Sequence, residues 1–476
     1  MLPLKRKENI KNLANQYADS RLSWKKKSAY FHEQDQRYLS FLIPEGSKIL
    51  DLGCGAGDLL STLKPALGVG IDFSERMIAL ARINHPEHTF YVGDIEDCKT
   101  IKAIDEKFDF IILSDTIGSL TDCQETLFQL HQLCTRETRI IISYYSYFWE
   151  PALKLAEVLG LKMPQAEQNY LSTKDIINFL KLSDFDVVGC DWHQLIPLNL
   201  LGLGNFINKY IATLPLIRRL NLRNYVIARS LKHVVMEDKS CSIIIPCRNE
   251  KGNIESAIQR IPQFCDDIEI VFVEGHSADG TYEEIERVIA TCPSRNIKLL
   301  QQTGKGKADA TFMGFDHAQG EVLMILDGDL TVPPEQLGKF WNAIVSGKGE
   351  YINGSRLIYP MEDEAMRFLN LIANWSFSLI FTWLLNQRFT DTLCGTKVLL
   401  NSDYKKLKKE REYFSGDDPF GDFDLLFCSS KLNLKMIEIP VQYRRREYGN
   451  TQIQRFRNGW QLLKLVIHGY KKLKIF

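Results

Sequence analysis

The sequence predicts an α/β protein of two domains, each built on a mostly parallel sheet. Three observations predict it. Apolar runs of strand length alternate with amphipathic stretches along the whole chain, the mark of strands joined by crossover helices. At 476 residues the chain is longer than one hydrophobic core supports. A short charged stretch, "LKHVVMEDK" (Leu231–Lys239), divides two series of such runs. The boundary falls between Val235 and Ser240, which gives domains 1–235 and 240–476.

Composition narrows the classes of function. Lys+Arg and Asp+Glu are equal at 59 each, so net charge is zero and the basic excess of a nucleic-acid-binding protein is absent. The eleven cysteines are scattered, with no C-x-x-C. That spacing argues against structural zinc and a disulfide framework, and points to a reducing cytosol. The basic N-terminus leads to no apolar signal core. Two apolar windows, Leu195–Ile217 and Phe368–Leu385, are interrupted by Asn, Ser, Lys or Pro and do not read as clean membrane spans.

In the first domain the strand runs are "KILD", "VGIDF", "TFYVGD", "FDFIILSD", "RIIISYYS", "FDVVGCDW" and "NYVIARSL". "KILDLGCGAGD" ends its strand at Asp51 and turns through Gly53, Gly55 and Gly57 into a helix. Such a turn lets backbone approach a ligand and aims a helix N-terminus at it. Asp72 ends the next strand, where a carboxylate can accept hydrogen bonds from ribose hydroxyls. Asp94 follows the third strand, at the distance of an adenine-side contact. A nicotinamide-dependent oxidoreductase would share the strand and Asp72, but would show G-x-G-x-x-G where this chain has G-x-G-x-G.

"ILDLGCGAGD", "GVGIDFSERMIALAR" and "FYVGDIEDC" resemble, in order and spacing, the cofactor motifs of the class I S-adenosylmethionine methyltransferases. The likeness runs from about Lys48 to Ser146. It implies a Rossmann-like sheet with an antiparallel final strand and S-adenosylmethionine as cofactor. By that resemblance Gly53 and Gly55 approach the methionyl part, Asp72 holds the ribose, Asp94 lies beside the adenine and Asp115 faces the same pocket. Methyl transfer to oxygen needs a positioned base. His193, Tyr144 and Tyr145 are the candidates, and each is as readily a core residue.

In the second domain the runs are "CSIIIPC", "EIVFVEG", "IKLLQQ", "EVLMILDGD" and "EYINGSR". Val322–Leu326 is continuously apolar, as in a strand buried on both faces, and Asp327 and Asp329 sit just past its end. In extended chain both side chains share a direction. Two such charges repel unless a cation joins them, and hard divalent ions take carboxylate oxygens. Other strand ends carry Pro246, Arg248 and Glu250 in "SIIIPCRNE", and Glu274 and Asp279 in "IVFVEGHSADGT". The basic loop "TGKGKADA" lacks Walker spacing, yet offers Lys305 or Lys307 to a diphosphate.

This succession is similar to a family 2 glycosyltransferase of the GT-A type, in the dolichyl- or polyprenyl-phosphate sugar transferase branch. "GSRLIYPMEDEAMRFLNLIANWSFS", "DTLCGTKVLL", "FGDFDLLF" and "IPVQYRRREYGNTQI" extend the likeness to about Ile453. The resemblance implies a UDP- or GDP-linked sugar, and Mg²⁺ or Mn²⁺ held by Asp329 with the diphosphate, Asp327 lying on the ribose side. It implies an inverting displacement, with Asp424 as the acidic residue on the acceptor side and Asp422 behind it. Arg446 would meet phosphate, since a guanidinium suits bidentate oxygen contacts. The chain departs from the family's Asp-Asp-Gly-Ser at "EGHS", where Glu274 keeps an acid and Gly275 does not. The identity of the base is therefore left open.

Two stretches carry cations without acids. One lies between Asp191 and Glu237, the other runs from Tyr448 to Phe476. "GWQLLKLVIHGYKKLKIF" has the pattern of an amphipathic helix with a basic edge, which implies peripheral contact with the cytoplasmic membrane and a lipid-phosphate or glycan acceptor. The competing expectation is that such a helix packs its apolar face inside the protein. As a whole the sequence implies glycosyl transfer joined to methyl transfer in a cell-surface glycan or glycolipid pathway. The alternative is a glycosyltransferase whose first domain only binds cofactor or docks.

Overall fold

The computed structural model describes residues 2–166, 168–169, 171–236, 239–359, 368–414, 418, 421–449 and 455–475. Residues 360–367, Phe420 and 450–453, which belong to the C-terminal family motifs, lie outside the described residues. The chain forms two compact units, Met1–His233 with Ile475–Phe476, and Val234–Lys474.

The first unit is built on seven strands: β1 (Lys48–Leu52), β2 (Leu67–Asp72), β3 (Thr89–Val92), β4 (Phe110–Ser114), β5 (Arg139–Tyr145), β6 (Phe185–His193) and β7 (Arg223–Ser230). Their order across the sheet is β3-β2-β1-β4-β5-β7-β6. The first five run parallel, and β7 is antiparallel to both β5 and β6. Strand periodicity divides the apolar residues between two faces. Leu50, Ile111, Ile140 and Val226 enter one core, while Ile49, Ile112, Ile141 and Tyr225 enter the other. Both faces are covered, which is why these strands read as unbroken apolar runs. The order reverses between β1 and β4, and a crevice opens at the carboxyl ends of such strands.

The second unit holds β8 (Cys241–Cys247), β9 (Ile268–Glu274), β10 (Asn296–Gln301), β11 (Val322–Ile325), β12 (Tyr351–Ser355), β13 (Lys397–Leu400) and β14 (Met436–Pro440). Their order is β10-β9-β8-β11-β13-β12-β14. β8 to β11 pair in parallel, β13 is antiparallel to its two neighbours, and β12 pairs in parallel with β14. Six of its seven strands therefore run the same way, β13 being the one reversed, so the sheet is mostly parallel as expected. Its two unforeseen strands, β13 and β14, are only four and five residues long. Here too the order reverses at β8 and β11, and the loops after these strands meet at one edge.

Candidate active sites

In the first unit a cavity of about 1090 Å³ opens at the carboxyl ends of β1, β2 and β4. Asp51, Gly53, Asp72, Asp94 and Asp115 all line it, so the acids marked in the sequence converge on one space. Gly53 has φ +82°, and a Cβ there would stand 2.3 Å from the Thr116 hydroxyl. That hydroxyl is fixed by donating to the Leu52 carbonyl at 2.7 Å, so only glycine fits. Gly57, also left-handed, precedes the helix Asp58–Leu63. Asp72 shapes the loop, accepting from the Gly55 N–H at 2.9 Å and the Ser74 N–H at 2.8 Å.

Asp51 is 2% exposed and its Oδ1 has no hydrogen-bond partner. Burial, and then repulsion from Asp72, push its carboxyl up to about 7. A buried acceptor left open in this way awaits a donor. Over the loop lies Arg21, whose Nη2 would stand 2.9 Å from a Cβ on Gly55 and whose buried Nε also lacks a partner. A buried guanidinium N–H without an acceptor calls for one. A glycine cradle, an open acceptor and an open donor together fit an amino-acid-bearing nucleoside such as S-adenosylmethionine.

Three helices that precede β1 roof this cavity, and no motif pointed to them. From Leu2–Tyr17, Lys7 reaches Asp94 at 2.6 Å and Glu96 at 2.8 Å. Arg21–Lys27 carries Arg21 and Lys25, and Ala29–Leu42 carries His32 and Asp35. His32 is held neutral, since burial and then Lys25 bring it down to about 4. Asp115, itself at φ +58°, is paired with the fully buried Arg223, which also holds Asp35 at 2.8 Å. Of the candidate bases, only Tyr145 lines the cavity, 5.1 Å from the Arg223 guanidinium. Tyr144 donates to Thr173 instead, and His193 packs against Tyr38 at 3.9 Å between ring centres.

In the second unit both carboxylates just past β11 face a cation. Lys307, in the first turn of Gly306–His317, lies 2.6 Å from Asp327. Arg446 lies 2.8 Å from Asp329 and 3.2 Å from Glu250. Burial would lower the Lys307 ammonium, but Asp327, Asp422 and Asp329 outweigh it and raise its pKa. Asp327 is held below its ordinary value despite burial, by Lys307 and then Lys397 and Arg356. Glu250 is pushed up to about 7 by burial, against the pull of Arg446. Asp327 also needs Gly395, on the turn into β13, where a Cβ would fall 1.8 Å from its Oδ2.

The other marked residues build the loops. Glu274, 1% exposed, accepts from the Ser277 N–H at 2.6 Å. Asp279 accepts from the Lys251 N–H at 3.2 Å and the Tyr448 hydroxyl at 3.1 Å. Pro246 is half-buried on β8, while Arg248 and Lys305 are exposed. The two acids of "GDFD" part company. Asp422 is buried and paired with Lys397 at 2.9 Å, within the electrostatic reach of Lys307. Asp424 stands 3.5 Å from Arg411, and burial followed by Asp418 raises it to about 6.

Among the described residues no three acids, histidines or cysteines converge as a ready metal cage. A divalent ion at this site would need Asp329 as carboxylate, with diphosphate and water for its remaining ligands. That is the ordinary manner of Mg²⁺ at a nucleotide, and the donor set fits it. Arg446 lies beside that carboxylate.

Two transferase family models match the chain. Residues 43–195 match the family model described as Methyltransferase domain, and residues 242–405 the one described as Glycosyl transferase family 2. The chain therefore carries a methyltransferase domain followed by a family 2 glycosyltransferase domain. Relatives of the second domain include dolichol-phosphate mannosyltransferase of Pyrococcus furiosus, 35% identical over 25% of this chain and 33% of that protein. Undecaprenyl-phosphate 4-deoxy-4-formamido-L-arabinose transferase of Edwardsiella ictaluri is 30% identical over 44% of this chain and 62% of its own length. This chain thus spans less than two-thirds of either relative. Among solved structures, a methyltransferase of Thermotoga maritima aligns at 15% identity and TM-score 0.36, over 46% of this chain and 99% of that one. Glucosyl-3-phosphoglycerate synthase of Mycobacterium tuberculosis aligns at 14% identity and TM-score 0.37, over 50% and 81%.

Proposed function

We propose that the chain is a bifunctional enzyme of cell-surface glycan or glycolipid assembly, working at the cytoplasmic face of a membrane. Its second domain transfers a sugar from a nucleoside diphosphate to a lipid-phosphate or glycan acceptor, and its first transfers a methyl group from S-adenosylmethionine. The observation that carries this reading is the pairing of Asp327 with Lys307 and Asp329 with Arg446 at a sheet's reversal point. Asp329 would hold the divalent ion of a bound nucleoside diphosphate, and Arg446 would pair with its phosphate oxygens. The bound ion supplies Lewis acidity to the departing diphosphate. Lys307 adds a second cation, Asp327 lies on the ribose side, and Asp424 serves the incoming acceptor as base or as positioning group.

In the first domain the open Oδ1 of Asp51 takes a donor from the cofactor, Asp72 the ribose, and Asp94 the adenine side. Arg21 pairs with the methionyl carboxylate. A second reading leaves this domain a cofactor-binding module without turnover. It is favoured by the engagement of Tyr144 with Thr173 and of His193 with Tyr38, which leaves Tyr145 alone of the three candidates at the cavity, its hydroxyl pushed up by burial and so a poor base.

The C-terminal helix Arg455–Leu473 supports both of the expectations raised for it. Leu462, Leu465 and Val466 are buried, while Trp460, Leu463 and Ile467 are exposed. The latter set, with the lysines, suits contact with a membrane surface. No helix among the described residues is long and apolar enough to cross a membrane. Calorimetric titration of UDP and GDP, with and without Mn²⁺, on wild type and Asp329→Asn tests the transferase site. Metal-dependent binding of one nucleotide, lost in the variant, is expected. No binding under any condition returns the two acids to a polar turn.

A further inference from the structure

The first unit displays its own apolar surface, apart from the C-terminal helix. The chain from Pro197 to Leu220 is made of short helical pieces: Leu200–Gly202, Leu203–Phe206, a π-turn Ile207–Ile211 and Arg218–Leu220. Leu201 is fully exposed and Leu216 is 92% exposed. Leu198, Leu200, Leu203 and Phe206 each leave more than half of their surface in water. Single exposed leucines need no explanation, but a contiguous series of them marks an interaction surface.

The segment is held in shape. Asn208 clasps the backbone of Ile196 from both sides, donating to its carbonyl at 2.7 Å and accepting from its N–H at 2.9 Å. Asn221 donates to the carbonyls of Trp192 at 2.8 Å and Ala212 at 3.0 Å. Leu200 and Leu201 are both in left-handed conformation, at φ 46° and 58°, which leucine rarely adopts. The backbone thus bends unfavourably and turns leucines outward.

Its charge identifies what would cover it. From Trp192 to Met236 there is no acidic residue, and the segment itself carries Lys209, Arg218 and Arg219. Cations interleaved with exposed leucines and aromatics match the boundary of an anionic bilayer, where charges meet headgroups and apolar side chains enter the acyl region. The surface is also continuous with the cavity, since Pro197 and Leu198 line it and so does the exposed Leu161.

We propose that the segment 197–220 docks the methyltransferase unit on an anionic membrane surface, setting the cavity mouth at the bilayer. A lipid-linked methyl acceptor is what such docking would supply. The segment belongs to the first unit and the C-terminal helix to the second, and the proposal does not depend on the glycosyl-transfer reading.

The test is co-sedimentation of the full chain with vesicles of phosphatidylcholine containing about one-third phosphatidylglycerol, and with phosphatidylcholine alone. The double variant Leu201→Asp/Leu216→Asp is compared with wild type, and again in a background carrying Leu463→Asp/Ile467→Asp. Both leucines are outside the core, and Asp tolerates the left-handed backbone at 201. Two lost apolar insertions predict at least about a ten-fold fall in partitioning in both backgrounds. Partitioning to phosphatidylcholine alone should be weaker by about the same factor or more. Unchanged partitioning of the double variant in both backgrounds overturns the proposal. So does a wild type that stays in the supernatant with either vesicle, which would leave a protein partner for this surface. Titration of S-adenosylhomocysteine into the same proteins keeps the two readings apart: its failure on wild type sinks the cofactor site and leaves the vesicle result standing.

Discussion

The ammonium of Lys307 lies 2.6 Å from Asp327, and burial does not neutralise the pair. Both groups stay charged because each is the other's counterion in a half-buried cleft. Asp329 is balanced likewise by Arg446 at 2.8 Å. Under the proposed function, a metal-bound diphosphate would enter a site whose charges are already compensated. For Asp329→Asn we expect nucleotide binding to lose its Mn²⁺ dependence and turnover to fall at least about 100-fold, or about 2.7 kcal/mol of transition-state stabilisation. Turnover assayed across a Mn²⁺ series on both proteins checks this; a variant with wild-type metal response would remove Asp329 from the site.

Gly395 makes room for Asp327. Because a Cβ there would lie 1.8 Å from Asp327 Oδ2, Gly395→Ala forces the carboxylate away from Lys307. Overpacking of this kind costs about 1–3 kcal/mol. Thermal unfolding should show a loss in that range, together with weaker nucleotide binding by titration. A variant that unfolds like wild type and binds nucleotide normally would show that the loop yields without moving Asp327.

What the sequence disclosed was what lies close along the chain. Asp51, Gly53 and Asp72 were legible because each stands at the end of an apolar run and the turn after it is short. Asp327 and Asp329 were legible for the same reason. Arg223 was not, since it meets Asp115 from 108 residues away and comes from a strand that reads as plain core. Arg21, Lys25 and His32 precede the first motif on helices whose role emerges only when they cover the cavity. Lys397 and Gly395 lay inside the quoted "DTLCGTKVLL", but β13 is only four residues long, and so short an apolar run does not distinguish strand from buried helix.

Arg21 gives a prediction that separates the halves of the cofactor. If its guanidinium pairs with the methionyl carboxylate, Arg21→Ala loses a charged hydrogen bond worth about 1.5–3 kcal/mol, or about 10–100-fold in affinity for S-adenosylhomocysteine. 5′-Methylthioadenosine, which lacks the amino acid, should bind variant and wild type alike. Calorimetry with both compounds decides it. Equal losses for the two would mean that Arg21 supports the glycine loop instead of the ligand.

Asp424 couples stability to chemistry through pH. Burial, then Asp418, raise it to about 6 against the pull of Arg411, whereas in an unfolded chain it titrates near about 3.9. Between those values the native state binds the proton more tightly than the unfolded chain. Stability from this group is therefore highest at low pH, falls as pH rises from about 4 to about 6, and stays reduced above. Asp424→Asn cannot ionise, so relative to wild type it should gain in melting temperature at about pH 8 compared with about pH 4. If Asp424 deprotonates the acceptor, wild-type kcat/KM climbs about ten-fold per pH unit below 6 and levels above it, while the variant is flat and about 10²–10⁴-fold slower. An acceptor phosphate that arrives ionised needs no such base. In that case the variant keeps most of its turnover and the wild-type limb near pH 6 is missing, while the stability difference, which depends only on the buried carboxyl, persists.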